Sequence, residues 1–313
     1  MNAIDIYIKV KRNLKVGLRG MIHFIPDIFL YFKIRKSARI SSFEWGFYVN
    51  GHLGDTYVFA AMLSTFSNSV GKDKIKIVGS EKYRELFSLF LFNNYVSAEN
   101  VPDYLFSDVI SNFVKFQPGN LLPGRVSHIF NTGGMTSDLS KFVFKSKSLS
   151  LDTPKNLGET TLNSLVIKYR IPSLKNVIWL APYSYTVNRI PESFWIETAK
   201  ELESRGYNII FFRHGSEETI SGYHNVDIDI GDVIPLVNEA AAVISVRNGF
   251  VDLISSSRTK KVVIYRTEKD LLVYSITEYY SDNRERLMEL CYNSSTNHEA
   301  FLSSILYFIS SNK

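Results

Sequence analysis

Arg247, Asn248 and Gly249 follow the apolar run AVISV and open the segment GFVDLISSS. A helix starting there would turn backbone N–H groups and the positive end of its dipole toward one spot, which suits an anion. The Arg247 guanidinium can grip a phosphate in two-pronged fashion or pair with a neighbouring carboxylate. The chemistry this predicts is the holding of a pyrophosphate. Asp252 falls in the first helical turn, where the dipole favours a carboxylate whatever the function. Two further loops carry similar groups. In LAPYSYTVNRIPESFW, Ser184, Tyr185, Thr186 and Arg189 stand between a strand and a helix that has Pro191 near its first turn. In RHGSEE, Arg213 and His214 close another strand. Three loops with cationic or hydroxyl donors on one edge of one sheet favour an anionic ligand.

The stretch YVNGHLGDTYVFAAM offers a different kind of group, a histidine and a carboxylate on a tight corner. One reading is turn chemistry: Gly51 and Gly54 permit unusual backbone angles and Asp55 caps the following helix. The other is that the corner faces a ligand, with His52 and Asp55 toward it. Asp227 and Asp229 in NVDIDIGD have a D-x-D spacing able to hold a divalent cation and a diphosphate. They also alternate with Val226, Ile228 and Ile230, as acidic side chains on one face of a strand do, and this second reading is preferred. No other cluster has metal-ligand spacing, so no metal is expected. The single cysteine, Cys291, excludes an internal disulfide framework and suggests a reducing compartment. RLMELCYN reads as one face of a helix, which makes Cys291 a core thiol rather than a nucleophile.

These loops need a scaffold, and the chain's rhythm predicts one. Hydrophobic residues make up 45% and aromatic residues 14% of 313 residues, enough for buried cores and about two domains. After residue 40, short apolar runs alternate with segments of helical period: SFEWGFYV, a helix over 55–69, KIKIVG, a helix in EKYRELFSLFLF, and VSHIFN at 126–131. After the polar stretch SKSLSLDTPKNLG and a helix to 170, the pattern restarts at NVIWLAP. It continues through a helix over 191–205, YNIIFF, the helix DVIPLVNEAA, AVISV, a helix from 249 and KKVVIY. That is the grammar of βαβ units and predicts an α/β protein of two Rossmann-like, doubly wound domains facing a central cleft. The division is a basic N-terminal segment over 1–40, a first domain over 41–172 and a second over 173–313. The last helix is able to pack back on the first domain.

The net charge of +5 is concentrated at one end. Residues 1–39 hold nine Lys or Arg against two Asp, a balance of +7 that leaves −2 for the rest. The same segment contains MIHFIPDIFLYFKI, too short and too interrupted by Pro26 and Asp27 to span a bilayer. Positive charge beside aromatic and aliphatic side chains suits an anionic membrane surface; a helix packed on the first domain with a solvated basic side is the alternative. No recognition motif accompanies the charge, so a nucleic-acid partner is not expected. Neither a bilayer-spanning run nor a cleaved signal peptide is seen, and a cytoplasmic protein, peripheral on the inner face of the cytoplasmic membrane, is the expectation.

NGHLGDT, WLAPYSYTVNRIPESFWIETAKELESRGYNIIFFRHGSEE and LVNEAAAVISVRNGFVDLISSS together resemble the heptosyltransferase-like GT-B glycosyltransferases of bacterial lipopolysaccharide and related surface glycans. The resemblance covers about 40–280 as order and spacing rather than identity. It implies a metal-independent glycosyltransferase without cofactor. Its donor would be a nucleotide sugar and its acceptor a bacterial polysaccharide or lipid-linked glycan. It also implies that Asp55 is the base on the acceptor hydroxyl, with Gly51, His52 and Gly54 beside the acceptor. Donor phosphates would fall to Ser184, Tyr185, Thr186, Arg189, Arg213, His214, Arg247, Asn248 and Gly249. Two departures stand out: Asn188 and Arg189 occupy the region where the family offers a lysine, and Arg247, Asn248, Gly249 replace its D-T-G. A nucleotide-sugar epimerase of the same architecture and a non-catalytic assembly protein are the alternatives.

Overall fold

A computed structural model describes residues 45–49, 53–97, 113–116, 124–125, 151–155, 161–184, 189–215, 217–277, 284–293 and 295–311. The basic segment, the strand expected over 126–131, and Gly51, His52, Tyr185, Thr186 and Asn188 lie outside them. Two compact units form. One gathers the first sheet and residues 67–84; the other gathers the second sheet with residues 53–66 and 85–91.

The first sheet has five strands: β1 (Trp45–Val49), β2 (Ile75–Gly79), β3 (Tyr95–Ser97), β4 (Phe113–Phe116) and β5 (Gly124–Arg125), in the order β3-β2-β1-β4-β5. β1, β2 and β3 are parallel, as expected, whereas β4 and β5 add an antiparallel flank. Helix α1 (Leu53–Val70) follows β1, and from Thr56 to Ser64 every residue is buried. A helix buried all round must be apolar all round, which YVFAAML satisfies. The Tyr57 ring meets Phe90 at 5.6 Å and Phe59 meets Phe87 at 6.5 Å, so the short helix α2 (Arg84–Ser88) and the residues after it cover α1.

The second sheet has six strands, all parallel: β6 (Val177–Ala181), β7 (Asn208–Arg213), β8 (His224–Asp227), β9 (Ala242–Val246), β10 (Lys260–Tyr265) and β11 (Leu287–Cys291). Their order is β11-β10-β9-β6-β7-β8. Counted within the sheet this is 3-2-1-4-5-6, the doubly wound order whose reversal lies between its first and fourth strands. β6 and β9 are buried at all five positions, as parallel strands covered on both faces require. On one face Ile178, Leu180 and Ile244 pack with Phe194, Trp195, Ala199 and Leu202 of α4 (Glu192–Ser204), α3 being the helix Leu162–Lys168. The last helix, α8 (His298–Ser310), adds Phe301, Leu302, Ile305, Leu306 and Ile309 to that core. It therefore buries its apolar face on the second sheet, where the sequence had left open a return to the first domain. Between them in the chain come α5 (Ile230–Asn238), α6 (Gly249–Leu253) and α7 (Glu268–Tyr274).

One expectation is overturned. RLMELCYN is a strand, not a helix face: β11 pairs in parallel with β10, Leu290 opposite Ile264 and Cys291 opposite Tyr265. The Cys291 thiol is half-buried, and burial followed by the Glu268 carboxylate pushes it up to about 11, which fits an inert thiol.

Candidate functional site

The strand order places the loops after β6 and β9 at the topological switch point, where open α/β sheets bind ligands. Those two loops are tied together by polar bonds. Ser184 Oγ donates to the Arg247 carbonyl at 3.0 Å, and Asn248 Nδ2 donates to the Tyr183 carbonyl at 2.7 Å. Asn248 is also the N-cap of α6: its Oδ1 accepts from Val251 N at 3.2 Å, and its extended backbone turns the chain into the helix. The sequence suggested Ser184 and Asn248 as ligand donors; here both build the turn on which Gly249 sits.

Arg247 differs from expectation more strongly. It is only 8% exposed. Its Nη1 donates to Asp252 Oδ2 and to the Asn248 carbonyl, each at 2.7 Å, and its Nε donates to the Tyr274 carbonyl at 3.0 Å. The alternative raised from sequence, a pairing with a neighbouring carboxylate, is what this guanidinium does. It braces the turn from behind. Asp252 is 3% exposed; burial raises its carboxyl above the ordinary value and the Arg247 charge pulls it back. The second oxygen, Oδ1, is buried with no hydrogen-bond partner.

The N-terminal turn of α1 meets this turn directly. A Cβ on Gly54 would stand 2.0 Å from Asp252 Oδ2 and 3.2 Å from the Gly249 Cα. A Cβ on Gly249 would stand 2.8 Å from Gly54 N and 3.1 Å from the Leu53 Cβ. Gly54 lies inside α1 and is not among the glycines with positive φ. The expected reason for this glycine, an unusual backbone angle, is therefore replaced by another: two helix starts approach too closely for side chains. Asp55 follows in the first turn of α1 and is half-buried. Beneath it, Tyr57 donates to Ser256 Oγ at 3.2 Å, and burial raises its phenol.

The remaining predicted residues lie along the edge past β6. Arg189 reaches Glu218 at 3.1 Å with two-thirds of its side chain exposed, and its guanidinium lies 5.7 Å from the centre of the Tyr183 ring. An exposed pair of this kind is weak, and its cation can exchange partners. Arg213 turns back onto its own loop, with Nη1 donating to the carbonyls of Gly215 at 2.9 Å and Glu217 at 3.3 Å. His214 N donates to Glu217 Oε2 at 2.7 Å, and its ring lies 3.5 Å from Asp227. Both carboxylates of the D-x-D spacing are engaged: Asp227 accepts from Gly215 N, and Asp229 accepts from Lys168 and Tyr169. Among the described residues, no group of three His, Cys, Asp or Glu side chains could hold a metal ion.

Sequence reasoning missed a group behind the site. Tyr265, at the end of β10, and Glu289, in β11, form a polar cluster with Ser275, Ile276 and Thr277 that reaches Arg247 through Tyr274. KKVVIY placed Tyr265 at the same sheet edge as Arg247; the helical reading of RLMELCYN hid Glu289.

No protein-family model matches the chain, and no curated protein matches it. Solved structures match its fold. The E. coli ADP-heptose LPS heptosyltransferase II aligns over 84% of this chain and 98% of its own, with TM-score 0.60 and 11% identity. A glycosyl transferase family 9 structure from Veillonella parvula DSM 2008 aligns over 85% and 96%, with TM-score 0.52 and 10% identity. E. coli heptosyltransferase WaaC with ADP-2-deoxy-2-fluoro heptose aligns over 85% and 99%, with TM-score 0.50 and 13% identity. At these identities the likeness is one of fold, and the chain has the GT-B fold of these transferases.

Proposed function

We propose that this protein is a glycosyltransferase that moves a sugar from a nucleotide-sugar donor to a bacterial polysaccharide or lipid-linked glycan. The observation that carries the reading is the contact of the Gly54–Asp55 helix start with the Asn248–Gly249 turn at the switch point of the second sheet. This close approach supports a reading in which the Asp55 carboxylate and the Gly249 turn act on one reaction. The fold shared with sugar transferases that act with ADP-heptose supports the same assignment.

In this reading residues 41–172 serve the acceptor and 173–313 the donor, with Gly51, His52 and Gly54 beside the acceptor sugar. Asp55 draws the proton from the attacking hydroxyl as the new bond to the anomeric carbon forms and the bond to the diphosphate breaks. The departing charge meets the N–H groups at Gly249 and the exposed cation of Arg189, with Ser184, Tyr185, Thr186, Arg213 and His214 shaping the rest of the donor edge. Arg247 contributes by bracing the turn. The scheme is written without a metal; Asp227 bonds Gly215, and Asp229 bonds Lys168 and Tyr169. The basic segment before residue 40 holds the enzyme to the cytoplasmic face of the membrane.

A thermal-shift screen against UDP-, GDP-, ADP-, CMP- and dTDP-sugars identifies the donor, and transfer is then measured with acceptor present. Asp55→Asn is expected to lower turnover by at least about a hundredfold, the usual contribution of a positioned base. Turnover within a few-fold of wild type would remove Asp55 from the role. Conversion of the donor to an isomer without acceptor would make the protein an epimerase instead.

A further inference from the structure

We infer that Glu289 is a positioning residue for the Arg247–Gly249 turn. This rests on the proposed sugar transfer only for its consequence in catalysis; the positioning itself stands on geometry. Oε1 of Glu289 accepts from Tyr265 Oη at 2.5 Å and from Ile276 N at 3.0 Å. Oε2 accepts from Ser275 Oγ at 2.8 Å and Thr277 Oγ1 at 2.5 Å. Four donors are about the capacity of one carboxylate. Three of them come from the consecutive residues 275–277, directly after α7.

The residue just before that strap is Tyr274, whose carbonyl accepts from Arg247 Nε at 3.0 Å and lies 3.1 Å from Tyr265 Oη. From Arg247 the bonds run on to the Asn248 carbonyl and to Asp252, whose carboxylate touches the space at Gly54. A charged group on β11 thus fixes a carbonyl that aims a guanidinium at the turn. The small apolar cluster of Val251, Val263, Tyr265 and Ile276, with Leu271 and Leu287 against it, already packs this region. Apolar packing is non-directional, whereas a carboxylate that accepts four hydrogen bonds specifies where one carbonyl points. Glutamine in its place has one acceptor oxygen and an NH2 that faces donors, so it cannot reproduce the cluster.

The test uses the full chain carrying Glu289→Gln, Glu289→Asp or Tyr265→Phe. The Hε–Nε signal of Arg247, identified by its loss in Arg247→Lys, is followed for hydrogen exchange, and melting is followed alongside. Glu289→Gln is expected to speed Hε exchange about tenfold or more, as loss of one charge-assisted bond would. Tyr265→Phe should give a smaller increase and Glu289→Asp a partial return. With ADP, GDP and UDP as probes, a protein whose Hε exchange has risen should also bind its preferred diphosphate about tenfold more weakly. Unchanged Hε exchange in folded Glu289→Gln overturns the inference, and if that variant does not fold, the same result in Tyr265→Phe overturns it. A response of Hε to these substitutions, when the wild-type protein binds no nucleoside diphosphate, supports the positioning and counts against the glycosyltransferase reading.

Discussion

At Gly54 the first methyl group of any side chain would fall on Asp252 Oδ2 and against the Gly249 backbone. The carboxylate cannot swing aside cheaply, because it is buried and bonded to Arg247 at 2.7 Å. Alanine gains about 1 kcal/mol of helix propensity over glycine. Overpacking costs about 1–3 kcal/mol, and loosening a buried ion pair costs more. Gly54→Ala should therefore lower stability by about 2 kcal/mol, read as a fall in the urea midpoint, despite its helical position; an unchanged midpoint would mean that the two helix starts do not touch. A second single residue sets a pH dependence. Lys261 is buried at the start of β10, with Nζ donating to the carbonyls of Ser257 and Thr259. Burial first, and the Arg286 charge second, bring its ammonium down to about 7. The unfolded chain keeps that proton up to about 10.5, so between these values the unfolded state binds more protons and stability rises with pH. Lys261→Met removes the slope: its stability relative to wild type should fall by at most about 1.4 kcal/mol per pH unit between about pH 7.5 and 9.5, and denaturant titration at several pH values measures it. The lost bonds to the two carbonyls shift all points equally and leave the slope as the test.

At the level of elements, α6 is one and a half turns long and owes its place to Asn248. The side chain does two jobs that substitution separates, since Oδ1 caps the helix and Nδ2 ties the β9 loop to Tyr183. Asn248→Ala should lose both, about 1–2 kcal/mol of stability by urea unfolding. Asn248→Asp should keep most of the cap yet place a carboxylate beside the proposed diphosphate, so that calorimetry shows ADP, or whichever nucleoside diphosphate wild type prefers, bound more weakly than by Asn248→Ala. Equal binding by both variants would put the diphosphate elsewhere. The strands that carry this turn are legible in the sequence because β6 and β9 are covered on both faces and so must be unbroken apolar runs. β11 is not: all five residues are half-buried, and Leu, Met, Glu, Leu, Cys fits a helical face as well as a strand. What decides is pairing with β10 and the ring of donors around Glu289, contacts made by residues 12–24 positions away. The direction of β4 is equally absent from FVKF, since a four-residue run does not encode whether its partner runs with it or against it. The site divides in the same way. That donors would gather after β6, β7 and β9 follows from local pattern, whereas their commitments depend on partners 27 residues away for Arg247 and 65 for Asn248.

For the whole molecule, charge rather than shape separates the chain's two ends. Residues 1–39 carry +7 and the remaining sequence −2, so the positive charge available to an anionic surface lies almost wholly in one eighth of its length. Among the described residues no helix is long and apolar enough to cross a membrane. Each Lys or Arg close to an anionic leaflet contributes about 1 kcal/mol, and the contribution decays over a Debye length of about 10 Å at moderate salt. The proposed peripheral attachment therefore makes two linked predictions for sedimentation with phosphatidylglycerol vesicles. Replacing Lys9, Lys11, Arg12 and Lys15 with glutamine should lower partition by more than about a hundredfold, while leaving the melting temperature of the second unit within a few degrees. Raising salt from about 50 to about 500 mM should release the wild-type chain and have little further effect on the glutamine variant. Removal of residues 1–39 should match the variant at high salt. Partition of the intact chain that ignores salt, or that survives loss of the four charges, would transfer the attachment to the apolar run MIHFIPDIFLYFKI or to a glycan acceptor already in the membrane.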